Sequence, residues 1–421
     1  MIMHGHIPEQ LMDTILISLV KDKKGIITDK DNYRPVAITC VTSKILELII
    51  LDKFGYILET NSHQFGFKKE HSTDLCIFVL KEVINFYTSQ SSPVYCCFID
   101  ASKAFDRVNH WHLFNKLLTR KMPKCIVRLL MTWYTTQSFT VRWGNVYSDK
   151  FTVTNGVRQG GVLSPKLFNV FIEDLSTTLQ SVKIGCYMNG VCMNHLNYAD
   201  DAVLLAPTVG GLQVLIEKCN DFAKTNDMIY NIKKSFCSAY VPKMYSNLHI
   251  PAVTLGQEPL RWVTQHKYLG VIVNNQGNDE ADMGRQIQAI YSRGNILIQN
   301  FNHCSANVKL ELFKTYCSNL YASHLWNKFS QAKYKRIQTA YNNVFRSLMC
   351  INRRESISAA FVSSNVDCFQ VVLRKAVYSF SSRVMTSSNI LVSTVLHSAY
   401  FIYCSNLFNQ WKKCLYKNLT D

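Results

Sequence analysis

No CxxC pair and no His/Cys cluster at zinc-ligand spacing occurs in this chain of 421 residues, which argues against a structural zinc site even though cysteine is plentiful at 15. The odd cysteine number and the lack of a secretory leader point to reduced thiols inside a cell. Acidic residues are scarce as well. Only 29 Asp plus Glu stand against 46 Lys plus Arg, giving a net charge of +17 and a pI near 9.2. A field of that sign favours polyanions, nucleic acid before an anionic membrane surface. Long apolar runs are missing too: the longest near the C-terminus, Ile390 to Cys404, is interrupted by Ser393, Thr394, His397 and Ser398, so it reads as a core helix and no transmembrane segment is expected. Internal repeats and low-complexity tracts are absent. What the chain does have is 48% hydrophobic and 12% aromatic residues, enough for a large core in roughly two or three domains.

Periodicity divides the chain near residue 275. Before it, Leu11 to Val20 and Val36 to Cys40 read as a hairpin with a Lys/Asp-rich tip. Ser43 to Leu58, with Ile45, Leu48, Ile49 and Phe54 at helical spacing, and Thr73 to Tyr87 read as amphipathic helices. Val94 to Ile99 is a strand. A helix near Trp111 turns His112, Leu113 and Leu117 inward, and Ile126 to Tyr134 follows. Phe139 to Trp143 and Lys150 to Val153 alternate like paired strands around Gly144-Asn145. Pro165 suits the first turn of a helix over Lys166 to Leu179, and another helix spans Gly211 to Asn226. Short strands are expected at Ser235 to Tyr240 and Tyr268 to Val273. Beyond residue 276 the pattern is helical (Met283 to Ile298, Val308 to Leu325, Ile337 to Met349), with a net charge of +10 suited to a phosphate backbone.

The chemistry concentrates at three acids. Asp200 and Asp201, between Asn197-Tyr198-Ala199 and the apolar run Val203-Leu204-Leu205, occupy a tight turn between two strands. Asp100 ends the apolar strand Val94 to Ile99. An isolated Asp-Asp pair is usually a polar turn, but a hydrophobic strand precedes each acid site here. Carboxylates at strand ends suit a pair of divalent metals, one activating a hydroxyl and the other steadying a departing pyrophosphate.

The ordered series Asn32-Tyr33-Arg34-Pro35, Phe98-Ile99-Asp100 with Ala104-Phe105-Asp106, Asn155-Gly156-Val157-Arg158-Gln159-Gly160-Gly161-Val162-Leu163-Ser164-Pro165, Tyr198-Ala199-Asp200-Asp201 and Tyr268-Leu269-Gly270 resembles the reverse transcriptase of non-LTR (LINE-type) retrotransposons. The resemblance runs from about residue 4 to residue 275 and continues loosely to Tyr341-Asn342-Asn343-Val344-Phe345-Arg346. It implies an α/β right-hand polymerase palm with fingers over residues 1–275, then a mainly helical thumb and connector over residues 276–421. The implied reaction is RNA-templated addition of deoxynucleoside triphosphates to a DNA primer, with two Mg²⁺ ions, replaceable by Mn²⁺, held by Asp100, Asp200 and Asp201 with the Ile99 carbonyl as an extra oxygen.

The resemblance also distributes supporting roles. Arg34 grips the triphosphate, a task suited to a guanidinium fork. Phe105 stacks beneath the sugar and excludes a ribose 2′-hydroxyl, although helical spacing alone would make it a core residue. Gln159 and Gly160 hold the nucleotide near its base and sugar. Lys234, beside Lys233, protonates pyrophosphate, and Tyr268-Leu269-Gly270 is either the primer grip or a core strand ending at glycine. Asp106 either touches metal or caps the next helix, and the cap is preferred. Family members usually carry an endonuclease and further fingers sequence ahead of the polymerase. This chain starts inside the fingers, so nicking is expected to be absent or supplied by another protein, with apolar surface bared from Leu11 to Val20. Integration implies nuclear residence, with the cytoplasm as the other option. A catalytically inactive nucleic-acid-binding remnant and an RNA-templated RNA polymerase remain the rivals.

Overall fold

The computed structural model describes residues 7–242 and 249–416, so the residues of the start, 1–6, where the resemblance begins, lie outside the described part. A turn of helix, α1 (Glu9–Met12), leads into β1 (Asp13–Val20), which pairs antiparallel with β2 (Tyr33–Thr39), Leu19 opposite Arg34. The expected hairpin therefore forms, its tip closed by Asn32, whose side chain exchanges hydrogen bonds of 2.9 Å with the backbone of Asp22. Of the surface expected to be bared here, Leu19 and Val20 are exposed and Leu11 is buried.

Helix α2 (Val41–Phe54) corrects one expectation. Ile45, Leu48 and Ile49 face outward, and the buried face carries Leu46, Glu47 and Ile50. Apolar residues are spread around the helix without a dominant face, so periodicity could not choose its inner side. Helix α3 (Thr73–Ser89) precedes β3 (Val94–Ile99), and α4 (His110–Thr119) and α5 (Lys124–Thr136) follow. In α4 the inward residues are His110, Leu113, Phe114 and Leu117; His112 is only half-buried. Strand β4 (Ser138–Trp143) turns at Gly144-Asn145 into β5 (Val146–Tyr147), and β6 (Phe151–Thr152) also pairs with β4. Because β1 and β4 run parallel, these pieces join one sheet ordered β2-β1-β4-β5.

Helix α6 (Ser164–Ser181) has Pro165 in its first turn, as expected. The short hairpin β7 (Tyr187–Met188) and β8 (Val191–Cys192) leads to β9 (His195–Tyr198) and β10 (Asp201–Ala206), then α7 (Val209–Thr225) and β11 (Phe236–Tyr240). A second sheet, ordered β11-β3-β10-β9 with every neighbour antiparallel, is the centre of the molecule. All six residues of β3 are buried, as in a strand covered on both faces. Tyr95, Cys97 and Ile99 join the core beneath α4 to α7, while Val94, Cys96 and Phe98 join the core beneath α3; Ala202, Leu204 and Ala206 divide from Val203 and Leu205 in the same way.

Two small hairpins follow: β12 (Val253–Leu255) with β13 (Glu258–Leu260), and β14 (Gln265–Tyr268) with β15 (Val271–Asn274). The second replaces the single strand expected over Tyr268 to Val273, because Leu269 and Gly270 both take positive φ (43° and 86°) and reverse the chain. The rest is helical: α8 (Glu280–Phe301), α9 (Ala306–Tyr316), α10 (Gln331–Leu348), α11 (Ile357–Ser363), α12 (Phe369–Met385), α13 (Ile390–Leu396), α14 (Ala399–Cys404) and α15 (Asn406–Tyr416). The helix expected over Val308 to Leu325 ends at Tyr316, and the one expected over Ile390 to Cys404 is two, divided where Ser398 caps the second by accepting from Phe401 N. Tyr341, Val344 and Phe345 of α10 are buried in a core shared by α8 and α9.

Candidate active site

The alternation that buries β3 and β10 also aims their acids. Ala202 stands opposite Ile99, so the next step of the ladder sets Asp201 beside Asp100. Both fall on the face that carries Phe98 and Val203. There they line an open cleft of about 150 Å³ together with Ile99, Lys234, Phe236 and Tyr268. Asp200 occupies the turn between β9 and β10, after Ala199 at φ 58°. Backbone bonds from Asn231 N to Asp100 O (2.8 Å) and from Lys234 N to Asn231 O (3.1 Å) fold the next segment back over the strand end. Lys234 Nζ thereby sits 3.8 Å from Asp100 Oδ2. Lys233 instead offers its carbonyl to Arg261.

The acids share an unfavourable field. Burial pushes Asp201 up to about 6, and the charges of Asp200 and Asp100 add to the rise while Lys234 opposes it. Asp200 is raised first by burial and then by Asp100, against its own backbone amide, Arg34 and Lys234. Among the described residues no three His, Cys, Asp or Glu side chains form a ready-made metal cage. The set is open, which suits an ion that completes its shell with substrate oxygens and water.

The sheet that carries β2 packs against the Gln159-Gly160 loop. Ala37 N donates to Gln159 O (2.7 Å), and a Cβ on Gly160, at φ 114°, would stand 2.7 Å from Ala37 O. Arg34, exposed three residues earlier on β2, is brought close enough for its charge to act on Asp200. Phe105 stacks on Phe168 at 4.7 Å and meets Phe67 edge-on at 6.0 Å, keeping part of its ring open. The cap expected of Asp106 is supplied by Asn109, which accepts from His112 N (3.1 Å). Asp106 lies in the preceding turn and accepts from Gln159 Nε2 (3.0 Å) instead.

Tyr268 is buried, its hydroxyl 3.5 Å from Cys76 Sγ, and Leu269-Gly270 forms the tip that closes one end of the cleft. Two supports had no sequence signal. Tyr321 donates to Leu269 O (2.8 Å) and packs where a Cβ on Gly270 would lie. Glu47 pairs with Arg158 at 2.6 Å, both fully buried, and accepts from Val162 N at 2.5 Å, while the guanidinium lies 4.4 Å over Trp133. Both partners are distant in the chain, Glu47 lying 111 residues from Arg158 and Tyr321 52 from Leu269.

Comparison with known proteins gives a concordant pattern. A family profile described as reverse transcriptase (RNA-dependent DNA polymerase) matches residues 21–273. The chain is 25% identical over 348 residues to a probable RNA-directed DNA polymerase from transposon X-element of Drosophila melanogaster, covering 79% of this chain and 37% of that protein. It is 28% identical over 272 residues to the Pol polyprotein of the type-2 retrotransposable element R2DM of the same species, covering 62% and 25%. It is 26% identical over 326 residues to the RNA-directed DNA polymerase of the mobile element jockey of Drosophila funebris, covering 74% and 34%. The chain thus spans well under half the length of these relatives. Among solved structures, telomerase from Candida tropicalis in complex with a fragment of telomeric RNA aligns at 11% identity and TM-score 0.46, covering 98% of this chain and 63% of that one.

Proposed function

The chain belongs to the reverse transcriptase family, and on that premise we propose that it is the RNA-directed DNA polymerase of a non-LTR retrotransposon, extending a DNA primer on an RNA template. The observation that supports this most is that Asp100 and Asp201, each one residue from the paired Ile99 and Ala202, line one open cleft, with Asp200 in the turn beside them.

Enzymes of this family work with a divalent metal, and the donor set fits one. Asp100 and Asp201 line the site with Asp200 in the adjoining turn, and burial and mutual repulsion already raise Asp200 and Asp201, a cost that a bound cation relieves. Asp100, Asp200 and Asp201, with the Ile99 carbonyl, would hold two Mg²⁺, for which Mn²⁺ could substitute. When bound, the ions supply Lewis acidity that eases loss of the primer hydroxyl proton and offsets charge on the leaving oxygen.

The chain's own groups do the rest. Arg34 presents its donor fork to the triphosphate, and Gln159-Gly160 backs the base and sugar. Phe105 fills the space a 2′-hydroxyl would need, selecting deoxynucleotides. The primer 3′-oxygen bonds to the α-phosphorus as the bond to the β-phosphate oxygen breaks, and Lys234 gives its proton to the departing pyrophosphate. Tyr268-Leu269-Gly270 steadies the primer end. The helical part beyond residue 275 adds basic surface along the duplex. Among the described residues no helix is long and apolar enough to cross a membrane; integration of the copied DNA would call for nuclear residence, with the cytoplasm as the other option.

Primer extension on a heteropolymer RNA template with Mg²⁺ tests the reading. The parent chain should incorporate deoxynucleotides, and Asp200→Asn should fall by well over the roughly tenfold minimum expected for a lost metal contact. A parent that extends nothing is an inactive remnant, and an Asp200→Asn protein retaining more than about a tenth of parental activity rejects the site.

A further inference from the structure

The β9–β10 turn that carries Asp200 is held from outside the hairpin. Ala199 sits at φ 58°, a region that residues with a Cβ populate only when their surroundings over-determine it. Those surroundings are residues 63–66. Asn197 N donates to His63 O and Phe65 N to Asn197 O, both at 2.8 Å, so this segment runs parallel beside β9 without being a strand of the sheet. A Cβ on Gly66 would lie 2.3 Å from Ala199 N, so at this closeness only glycine fits. Asn169, buried on α6, donates to Gly66 O at 2.8 Å and fixes the far side of the segment.

Into this apposition projects the side chain of Gln64, 3% exposed. Its Oε1 accepts from Ala199 N at 2.9 Å and from Gly66 N at 2.8 Å, and its Nε2 donates to Ala199 O at 3.3 Å. One amide thus satisfies both backbone polar atoms of Ala199, away from solvent, one residue before Asp200. We propose that Gln64 is a positioning residue of the catalytic hairpin: by clasping Ala199 it fixes the direction in which Asp200 and Asp201 present their carboxylates to the cleft. The proposal rests on reading that hairpin as catalytic. A side chain of equal length without an acceptor would leave two buried N–H groups unpaired and free the turn to rotate. A carboxyl at the same place keeps the acceptor.

The test uses the full chain with Gln64→Met and Gln64→Glu. Hydrogen exchange at the Ala199 amide, followed on the peptide spanning residues 195–205, reads the clasp directly, and single-nucleotide extension reads its consequence. In Gln64→Met, Ala199 exchange should quicken at least about tenfold with the rest of the chain unchanged, and kcat should fall about ten- to a hundredfold with the deoxynucleotide KM within about twofold. Gln64→Glu, which keeps the acceptor but loses the amide donor to Ala199 O, should recover most of the exchange protection and part of kcat. Parental exchange at Ala199 in Gln64→Met overturns the clasp, as does parental kcat despite faster exchange. Exchange that rises uniformly across the chain, unrelieved by Gln64→Glu, marks a packing role and overturns it too. If the parent itself does not extend primers, the polymerase reading fails and the exchange measurement alone decides the clasp.

Discussion

At the scale of single residues, Phe105 shows how one position can be core and site at once. Its ring lies nearly parallel to that of the buried Phe168, an 11° interplanar angle, and meets Phe67 edge-on, yet the side chain stays only half-buried. Helical spacing alone would assign it to the core; the stack on Phe168 agrees with that, and only its partial exposure leaves room for a second role. Because Phe168 is anchored independently, Phe105→Ala should leave the fold intact and open space beneath the sugar. Incorporation of ribonucleotides relative to deoxynucleotides should rise at least about tenfold, the loss of a steric rejection of one hydroxyl, and unchanged sugar discrimination in single-nucleotide extension would remove the gate. Asp100, Asp200 and Asp201 were legible in the sequence because apolar strands flank them. Gln64 was not, because its partner Ala199 is 135 residues away and nothing local marks it.

At the scale of elements, what sequence could read was whatever one segment decides alone. β3 and β10 were plain because both of their faces are apolar, and α6 because Pro165 and its apolar stripe agree. The two-residue strands β7 and β8 carry too little pattern to detect, and the inner face of α2 was misread because a tertiary contact chooses it. That contact is Glu47 with Arg158, which ties α2 to the loop leading into α6. Truncating Glu47 would leave a buried guanidinium resting on the rings of Trp133 and Tyr134 and two loop amides without an acceptor. Glu47→Ala is therefore expected to cost about 3 kcal/mol or more, measured by urea unfolding. It should also raise the deoxynucleotide KM, since Gln159-Gly160 belongs to the same loop. A loss below about 0.5 kcal/mol, the level of an ordinary surface change, would show that the loop is held by its backbone contacts alone.

At the scale of the whole molecule, the helices beyond residue 275 are not an appendage. Phe380, Val392, Phe401 and Trp411 pack into the same core as Phe78 of α3 and Phe98 of β3, directly behind the acidic cleft. Polar links pin this contact: the buried Lys81 of α3 to Asp279 at 2.6 Å, Asp74 to the exposed Arg383 at 2.7 Å, and Ser405 donating to the buried Glu82 Oε2 at 2.7 Å. Glu82 is the most exposed of these links to a change of pH. Burial is the main cause that pushes it up to about 7, with Asp279 adding to the rise, and Ser405, Asn85 and Lys81 opposing it. In the unfolded chain an ordinary glutamate titrates near 4.5, so between these values the folded state holds a proton that the unfolded state has released. The stability Glu82 contributes in its neutral form is therefore complete below about pH 4.5 and is lost as pH rises through about 7. A glutamine there never ionises and can still meet Ser405. Glu82→Gln should match the parent near pH 4.5 and become progressively more stable than it up to about pH 7, by as much as roughly 3 kcal/mol for a shift of that size. Denaturant unfolding of both proteins at pH 5 and pH 8 checks the sign, and a difference that is constant or that shrinks with rising pH would show that Glu82 is ionised in the folded state and that Lys81 compensates it.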